Sequence, residues 1–198
     1  RTTVLAGISH DLKTPLTRIK LALAMQSESD EIIAIQKDVE EMERMIEAYL
    51  DFASNEAVDE DPAPFRLDEL VAEIANDVER TGRHIDTDAP RPVTLAVRRM
   101  ALKRAVANLV NNSLRYADNV WVSVVRLNRY VEIIVEDDGP GIPPEKYEYV
   151  FKPFTRLDEA RNLNESGVGM GLVIVRDVAR AHGGDVTLDQ SPRGGLRA

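Results

Sequence analysis

An imidazole followed at once by a carboxylate is a pair that can do nucleophilic chemistry, and His10-Asp11 is such a pair. The carboxylate can hold or take the proton of one ring nitrogen, which leaves the other as a directed nucleophile near neutral pH. Thr14 follows four residues later, so on a helix its hydroxyl shares the side of His10. Pro15 removes a backbone donor and presses on the carbonyl of Asp11, loosening the turn beside His10. An interior proline costs a helix about 3 kcal/mol. A tolerated kink would look the same, but a cost of that size invites a functional explanation.

A second set of residues suits a phosphorylated base. Asn108, Asn112, Arg115 and Tyr116 fall along one edge of a predicted helix. Asn112 can offer a neutral oxygen to Mg²⁺, Arg115 a cationic fork to phosphate and Tyr116 a flat face to a base. Asp137-Asp-Gly-Pro-Gly-Ile142 follows a predicted strand. There, glycines permit positive φ and close backbone approach, and a carboxylate can accept from an exocyclic amine such as that of adenine. Gly167-Val-Gly-Met-Gly171 opens a predicted helix whose N–H groups and dipole can hold phosphate oxygens. It fits neither the Rossmann fingerprint, since no long strand precedes it, nor a Walker A loop, since no Gly-Lys-Ser/Thr occurs. Taken singly, the polar stripe is also what a solvated helix edge looks like, and the first glycine run what a tight turn looks like.

These groups must be positioned by something. Leu5, Ile8, Leu12, Leu16, Ile19 and Leu23 recur at helical spacing and cluster within roughly 80° of arc, with His10 roughly 155° from their mean direction. The spacing therefore predicts that His10 faces water. After residue 30 the apolar positions Ile32, Ile35, Val39, Met42, Ile46, Tyr49 and Ala53 keep heptad spacing. Two helices and a short loop make an antiparallel hairpin over residues 1–57. Each stripe of a lone hairpin covers only the other, which predicts a homodimer that completes a four-helix bundle. Residues 58–64, acidic with two prolines, read as a linker. In residues 65–198 the pattern predicts helices at 67–80, 98–116 and 169–182 and strands at 92–97, 120–126, 130–136 and 184–189. The chain runs out soon after Gly195, before a last strand is complete. The fold class expected is α+β, the hairpin being followed by an α/β two-layer sandwich.

Composition narrows the function. A chain of 198 residues, 43% hydrophobic and with a net charge of −9, lacks the basic footprint of a nucleic-acid binder. Absence of cysteine removes disulfide frameworks and cysteine-ligated metal sites and agrees with a reducing compartment. No apolar run approaches a membrane span. The chain starts inside a helical pattern without an initiator methionine and reads as a piece of something longer.

The run Ile8-Ser-His-Asp-Leu-Lys-Thr-Pro-Leu-Thr17 resembles the phosphoacceptor box of HisKA histidine kinases, and Arg18 continues the match to the EnvZ-like osmosensor branch. In order, Asn108-Leu-Val-Asn-Asn112, Asp137-Asp-Gly-Pro-Gly141, Phe151-Lys-Pro-Phe154 and Gly167-Val-Gly-Met-Gly171 resemble the N, G1, F and G2 boxes of the GHKL ATPases. The resemblance implies a Bergerat ATP-binding fold. It implies that His10 takes phosphate on Nε2, that Asp11 assists as base, and that Thr14 positions water in a reverse phosphatase reaction. It also implies that Asn112 ligates Mg²⁺ and Asp137 contacts adenine. On the same resemblance Asn108, Arg115, Tyr116, Gly139, Gly141, Ile142, Gly167, Gly169, Gly171 and Leu172 are expected to surround the nucleotide. The resemblance further implies that Phe151 and Phe154 anchor a lid over residues 155–166, from which Arg156 reaches the γ-phosphate. Ser113 stands where many relatives carry alanine.

The activity so implied is ATP-dependent autophosphorylation of His10, phosphotransfer to an aspartate of a response regulator of OmpR-like type, and dephosphorylation of that regulator. The setting is the cytoplasmic portion of a bacterial inner-membrane sensor whose membrane segments lie outside these residues. Turnover then requires His10 and Asn112 to meet across the linker. Two other functions share the pocket: an ATPase of the gyrase, chaperone or mismatch-repair kind, and a silent dimerisation scaffold that binds nucleotide to set its shape.

Overall fold

The computed structural model describes residues 14–26, 29–55, 60–155, 157 and 168–198. The chain divides into two compact units, Arg1–Asp59 with Arg156–Met170, and Glu60–Thr155 with Gly171–Ala198.

In the first unit residues 14–24 are helical (α1), and α2 spans Asp30–Asn55. Ser29 starts α2 as its cap, with its Oγ accepting from Ile32 N–H at 3.2 Å. Such a cap satisfies one of the N–H groups that a helix start leaves unpaired. Lys20 of α1 and Glu43 of α2 form an ion pair at 2.7 Å. Of the expected apolar stripes, Leu16 and Val39 are buried, whereas Ile19, Ile35, Met42 and Tyr49 are 44–51% exposed. Leu5, Ile8 and Leu12 lie outside the described residues. Among the described residues no helix is long and apolar enough to cross a membrane.

The second unit is a sheet with helices against one face. Its elements are β1 (Ala63–Arg66), α3 (Leu67–Glu79), β2 (Asp86–Asp88), β3 (Thr94–Val97), α4 (Arg99–Tyr116), β4 (Val120–Arg126), β5 (Val131–Asp137), α5 (Gly171–Ala181), β6 (Asp189–Gln190) and β7 (Leu196–Arg197). Two short 3₁₀ turns, Pro144–Lys146 and Tyr149–Phe151, follow β5. The five-stranded sheet runs β2-β4-β5-β7-β6, while β1 pairs only with β3. Strand β2 is parallel to β4, and the remaining pairs of the sheet are antiparallel.

Period-two burial makes the sheet one-sided: Val120, Val122 and Val124 are buried, while Trp121 and Ser123 between them are half-buried. Leu67, Leu70, Val71, Ile74 and Val78 of α3 repeat at helical spacing and join Val106, Leu109, Val110 and Leu114 of α4 in the same core. Burying a side chain of this size stabilises by about 1.5–3 kcal/mol, so the shared core fixes α4 over the sheet.

Several elements depart from the sequence reading. Strands β1 and β2 were not anticipated, because Asp86-Thr-Asp88 is polar and exposed throughout and β1 contains a proline. Of the strand expected at 184–189, only Asp189 pairs, continuing to Gln190, because the partner β7 comes from later in the chain. Conversely, β7 forms at 196–197, where the sequence was expected to run out.

Residues expected to be a linker also make ordered contacts. The Glu60 carboxylate accepts from Met100 N–H at 3.0 Å and Ala101 N–H at 3.3 Å, capping α4 from forty residues away. Arg98 reaches the Glu60 carbonyl at 2.9 Å and the Ala181 carbonyl at 3.2 Å. Its own N–H donates to His182 Nε2 at 3.0 Å, and the other ring nitrogen lies 2.7 Å from the Val178 carbonyl. That pattern assigns His182 the tautomer with hydrogen on Nδ1. Glu60→Ala is expected to remove about 1 kcal/mol of capping, seen as about fivefold faster amide exchange at Met100 and Ala101, whereas Glu60→Gln keeps an acceptor and the slower exchange.

Candidate functional site

Asp137 ends β5, and its side chain is 4% exposed. A buried carboxylate is stable only when donors meet it, and three do. Oδ1 accepts from Gly139 N–H at 3.1 Å and from Leu196 N–H at 2.9 Å. Oδ2 accepts from the Ser113 hydroxyl at 2.8 Å. A carboxylate has about four lone-pair sites, so Oδ2 keeps one, and its chemical complement is a hydrogen-bond donor.

The glycines here are places where backbone comes too close for a side chain. A Cβ on Gly139 would stand 2.9 Å from the Tyr116 carbonyl, so the turn after β5 lies directly against the C-terminal end of α4. Gly141 has a φ of 68°, a conformation that carries no penalty only for glycine. Asp138, next to this turn, accepts from the side chain of Asn119 at 2.7 Å and from its backbone N–H at 2.9 Å. Those bonds, the side-chain one first, hold its carboxyl below the usual carboxylate range and tie the turn to the start of β4.

About two turns before the end of α4, Asn108 presents a buried Nδ2 that has no hydrogen-bond partner among the described residues. Leaving such a donor unpaired costs about 1–3 kcal/mol. A Cβ on Gly171, the first residue of α5, would lie 4.0 Å from Asn108 Cβ. The orphan amide therefore sits beside a helix start, where free N–H groups and the positive end of the dipole face outward. Both features suit the oxygens of an anion.

The remaining predicted residues are placed as follows. Asn112 is half-buried on α4. Arg115 and Tyr116 are exposed and line an open cleft of about 440 Å³ with Arg83, Asp118, Asp138 and Pro140, a cleft to which Asn108 and Asn112 do not contribute. Arg83 is engaged there by the carbonyls of Leu114 and Ala117. Ile142 is half-buried, and Leu172 is half-buried against the core. Gly169 has a φ of 74°.

The two phenylalanines differ. Phe151 is buried under the Arg176 guanidinium, 4.3 Å from its ring centroid, and Arg176 is held in turn by Glu148 at 2.8 Å and Asp185 at 3.2 Å. Phe154 is 42% exposed with a φ of 61°, a strained conformation for an aromatic residue. Thr14 is exposed in α1. His10, Asp11, Arg156 and Gly167 lie outside the described residues.

Three members of the site were not singled out from the sequence as functional: Ser113, Gly195 and the Leu196 N–H. Ser113 carried a signal, being a polar residue on the otherwise apolar inward face of α4. The contacts of Gly195 and Leu196 join positions far apart in the chain, and local pattern holds no trace of them.

Comparison with known proteins gives the site its context. Residues 97–198 match the family described as histidine kinase-, DNA gyrase B-, and HSP90-like ATPase, and residues 1–58 match the His Kinase A (phospho-acceptor) domain. The chain is 38% identical over 96% of its length to the sensor protein RstB of Escherichia coli and 36% identical over 98% to the sensor histidine kinase CpxA of the same species. It spans 46% and 45% of those two proteins. The NMR structure of the histidine kinase domain of the E. coli osmosensor EnvZ matches at 36% identity with a TM-score of 0.54, covering 69% of this chain and 85% of that one. An ATP-binding domain of this type, preceded in the same polypeptide by a phospho-acceptor domain, places the chain in the family of two-component sensor histidine kinases.

Proposed function

We propose that this chain binds ATP with Mg²⁺ in its second domain, residues 65–198, and phosphorylates His10 in its first, residues 1–57, with residues 58–64 joining them. The observation that carries the reading is the incomplete hydrogen bonding of two buried groups among the described residues. Asp137 keeps one acceptor site for the adenine amine, and Asn108 keeps one donor for a phosphate oxygen. The residues present thus fit the nucleotide at both of its ends. Arg115, Tyr116, Gly139, Gly141, Ile142, Gly169, Gly171 and Leu172 complete the surroundings, with Gly167, Phe151, Phe154 and Arg156 belonging to the lid and its anchors. Asn112 supplies a neutral oxygen to Mg²⁺, whose contribution when bound is to neutralise charge on the phosphates.

In the transfer, Asp11 accepts the Nδ1–H hydrogen bond of His10 and leaves the Nε2 lone pair free. That lone pair forms the bond to the γ-phosphorus as the bond from phosphorus to the β–γ bridging oxygen breaks, and ADP departs with the electron pair. Catalysis of this step is positioning and charge stabilisation. Phosphohistidine then passes its phosphoryl group to an aspartate of a response regulator, with OmpR-like regulators as the class expected; in the opposing phosphatase reaction Thr14 directs water onto that phosphorus as its bond to the aspartate oxygen breaks, releasing inorganic phosphate. A second copy of the chain covers Ile19, Ile35, Met42 and Tyr49, whose exposure supports a homodimeric bundle. On this reading the chain is the cytoplasmic portion of an inner-membrane sensor.

Incubation with γ-labelled ATP and Mg²⁺ tests the reading. The expected result is label on the protein that is acid-labile, base-stable and absent in His10→Ala. Phosphate release without labelled protein would instead identify an ATPase with a conformational cycle, and bound nucleotide with neither label nor hydrolysis would identify a scaffold.

A further inference from the structure

Ser113 sits mid-helix in α4 at 5% exposure, on the face occupied by Leu109, Val110 and Leu114. Alanine would suit such a position better on two counts, since it has the higher helix propensity and carries no polar group to desolvate. A helical serine also has a local option, which is to donate back to the carbonyl four residues earlier. Ser113 instead donates across the core to Asp137 Oδ2 at 2.8 Å.

That bond matters because of what else holds the carboxylate. The backbone N–H groups of Gly139 and Leu196 both act on Oδ1. They fix one oxygen as a pivot and leave the other free to swing, and Ser113 is the donor that stops the swing. With the hydroxyl in place, Oδ2 points its remaining lone pair in one direction only.

We propose that Ser113 is a base-positioning residue, which aims Asp137 at the nucleobase and lets the pocket separate a 6-amino purine from a 6-oxo purine. The inference rests on the reading above that Asp137 receives the base. An aimed acceptor rewards an amine and opposes a carbonyl oxygen in the same place, because two acceptors that face each other leave both unpaired. A carboxylate free to rotate does neither well. It turns aside from the carbonyl and meets the amine at poorer angles, and hydrogen bonds weaken steeply with misalignment.

The test is calorimetric titration of the full chain with ATP and with ITP, in Mg²⁺, for wild type, Ser113→Ala, Ser113→Thr and Asp137→Asn. Ser113→Ala is expected to raise the Kd for ATP about fivefold to tenfold, the scale of one misplaced hydrogen bond, with the Kd for ITP unchanged or lower. The preference for ATP over ITP therefore falls by about the same factor, and Ser113→Thr, which keeps the hydroxyl, retains it. A merely structural serine would weaken both nucleotides alike and leave their ratio at the wild-type value. An unchanged ratio in Ser113→Ala overturns the proposal, whether both affinities drop together or neither moves. Asp137→Asn distinguishes the two levels. If it collapses the ratio while Ser113→Ala does not, only the role of Ser113 fails. If neither variant alters the ratio, the reading of Asp137 as the base-recognising group fails with it.

Discussion

Asp137→Asn is expected to weaken ATP binding on the order of 100-fold while the domain stays folded. The substitution is nearly isosteric, and the asparagine carbonyl oxygen can take over the place of Oδ1, so the N–H groups of Gly139 and Leu196 keep their acceptor. In place of Oδ2 comes an amide nitrogen. The Ser113 hydroxyl can turn to accept from it and donate instead to the carbonyl four residues earlier, so no buried group inside the protein is orphaned. The base amine does lose its partner, because a donor now faces a donor. A hydrogen bond to a charged group contributes about 1.5–3 kcal/mol, and leaving the amine desolvated adds to the loss, which together give a change of this order. Titration of ATP measures the affinity, and unfolding followed by Trp121 fluorescence checks the fold. Trp121 is the single tryptophan of the chain and lies in β4 of the ATP-binding unit. Asp137→Ala makes a poorer probe, because it strands three buried donors at once. Affinity within a few-fold of wild type in Asp137→Asn would remove the base from this carboxylate.

Gly195→Ala is expected to destabilise the ATP-binding unit by about 3 kcal/mol, the upper part of the range for forcing atoms into a packed site. A Cβ there would overlap Asp137 Oδ1 and stand 2.5 Å from both the Asp137 carbonyl oxygen and the Gly139 nitrogen. Two of these atoms are backbone, and Asp137 Oδ1, though a side-chain atom, is held in place by the N–H groups of Gly139 and Leu196. The carbonyl already accepts from Gly195 N–H at 3.1 Å, and the Gly195 carbonyl accepts from Ser191 N–H at 2.8 Å, so the strand cannot retreat without losing its own bonds. Moving it would also withdraw Leu196 N–H from Asp137, and ATP affinity should fall with stability. Gly184→Ala serves as a control. Its Cβ would meet only the Ala179 carbonyl, at an ordinary 3.5 Å, and no loss of stability is expected there. Denaturant unfolding by Trp121 fluorescence reads both variants, and equal midpoints for the two would refute the packing argument.

The hydrogen bond from Ser113 to Asp137 shows where reading the chain stops and folding takes over. Periodicity alone was enough for α4, β4 and β5, each found within a residue of its observed ends, because each is long and carries a clear period of 3.6 or 2. Short strands do not offer that signal. Strand β2 pairs through its backbone with β4 although its side chains are exposed and polar, and β6 and β7 are two residues each. Their existence depends on what lies beside them. The same holds for residues 60–64, where a proline-rich acidic composition suggested a linker, yet Glu60 caps a helix forty residues on.

What the sequence by itself determined was the chemistry on offer: a histidine beside a carboxylate, a carboxylate before glycines at a strand end, a stripe of amides and a cation along one helix, and the order of these along the chain. Those are properties of residue types and local spacing, and the family match followed from them. Only the tertiary structure decided which lone pair of Asp137 stays open and which amide of α4 lacks a partner among the described residues, that Gly195 has no space for a methyl group, and that Phe151 is buried while Phe154 is exposed. Ser113 and Asp137 are 24 residues apart, and Leu196 and Asp137 are 59 apart. Contacts of that kind arise when α4 packs on the sheet and β7 pairs beside β5, and the burial that drives both events is non-directional. It brings the elements together without specifying which donor meets which oxygen. That choice falls to geometry inside the packed core, where an unmet polar group costs as much as a lost hydrogen bond.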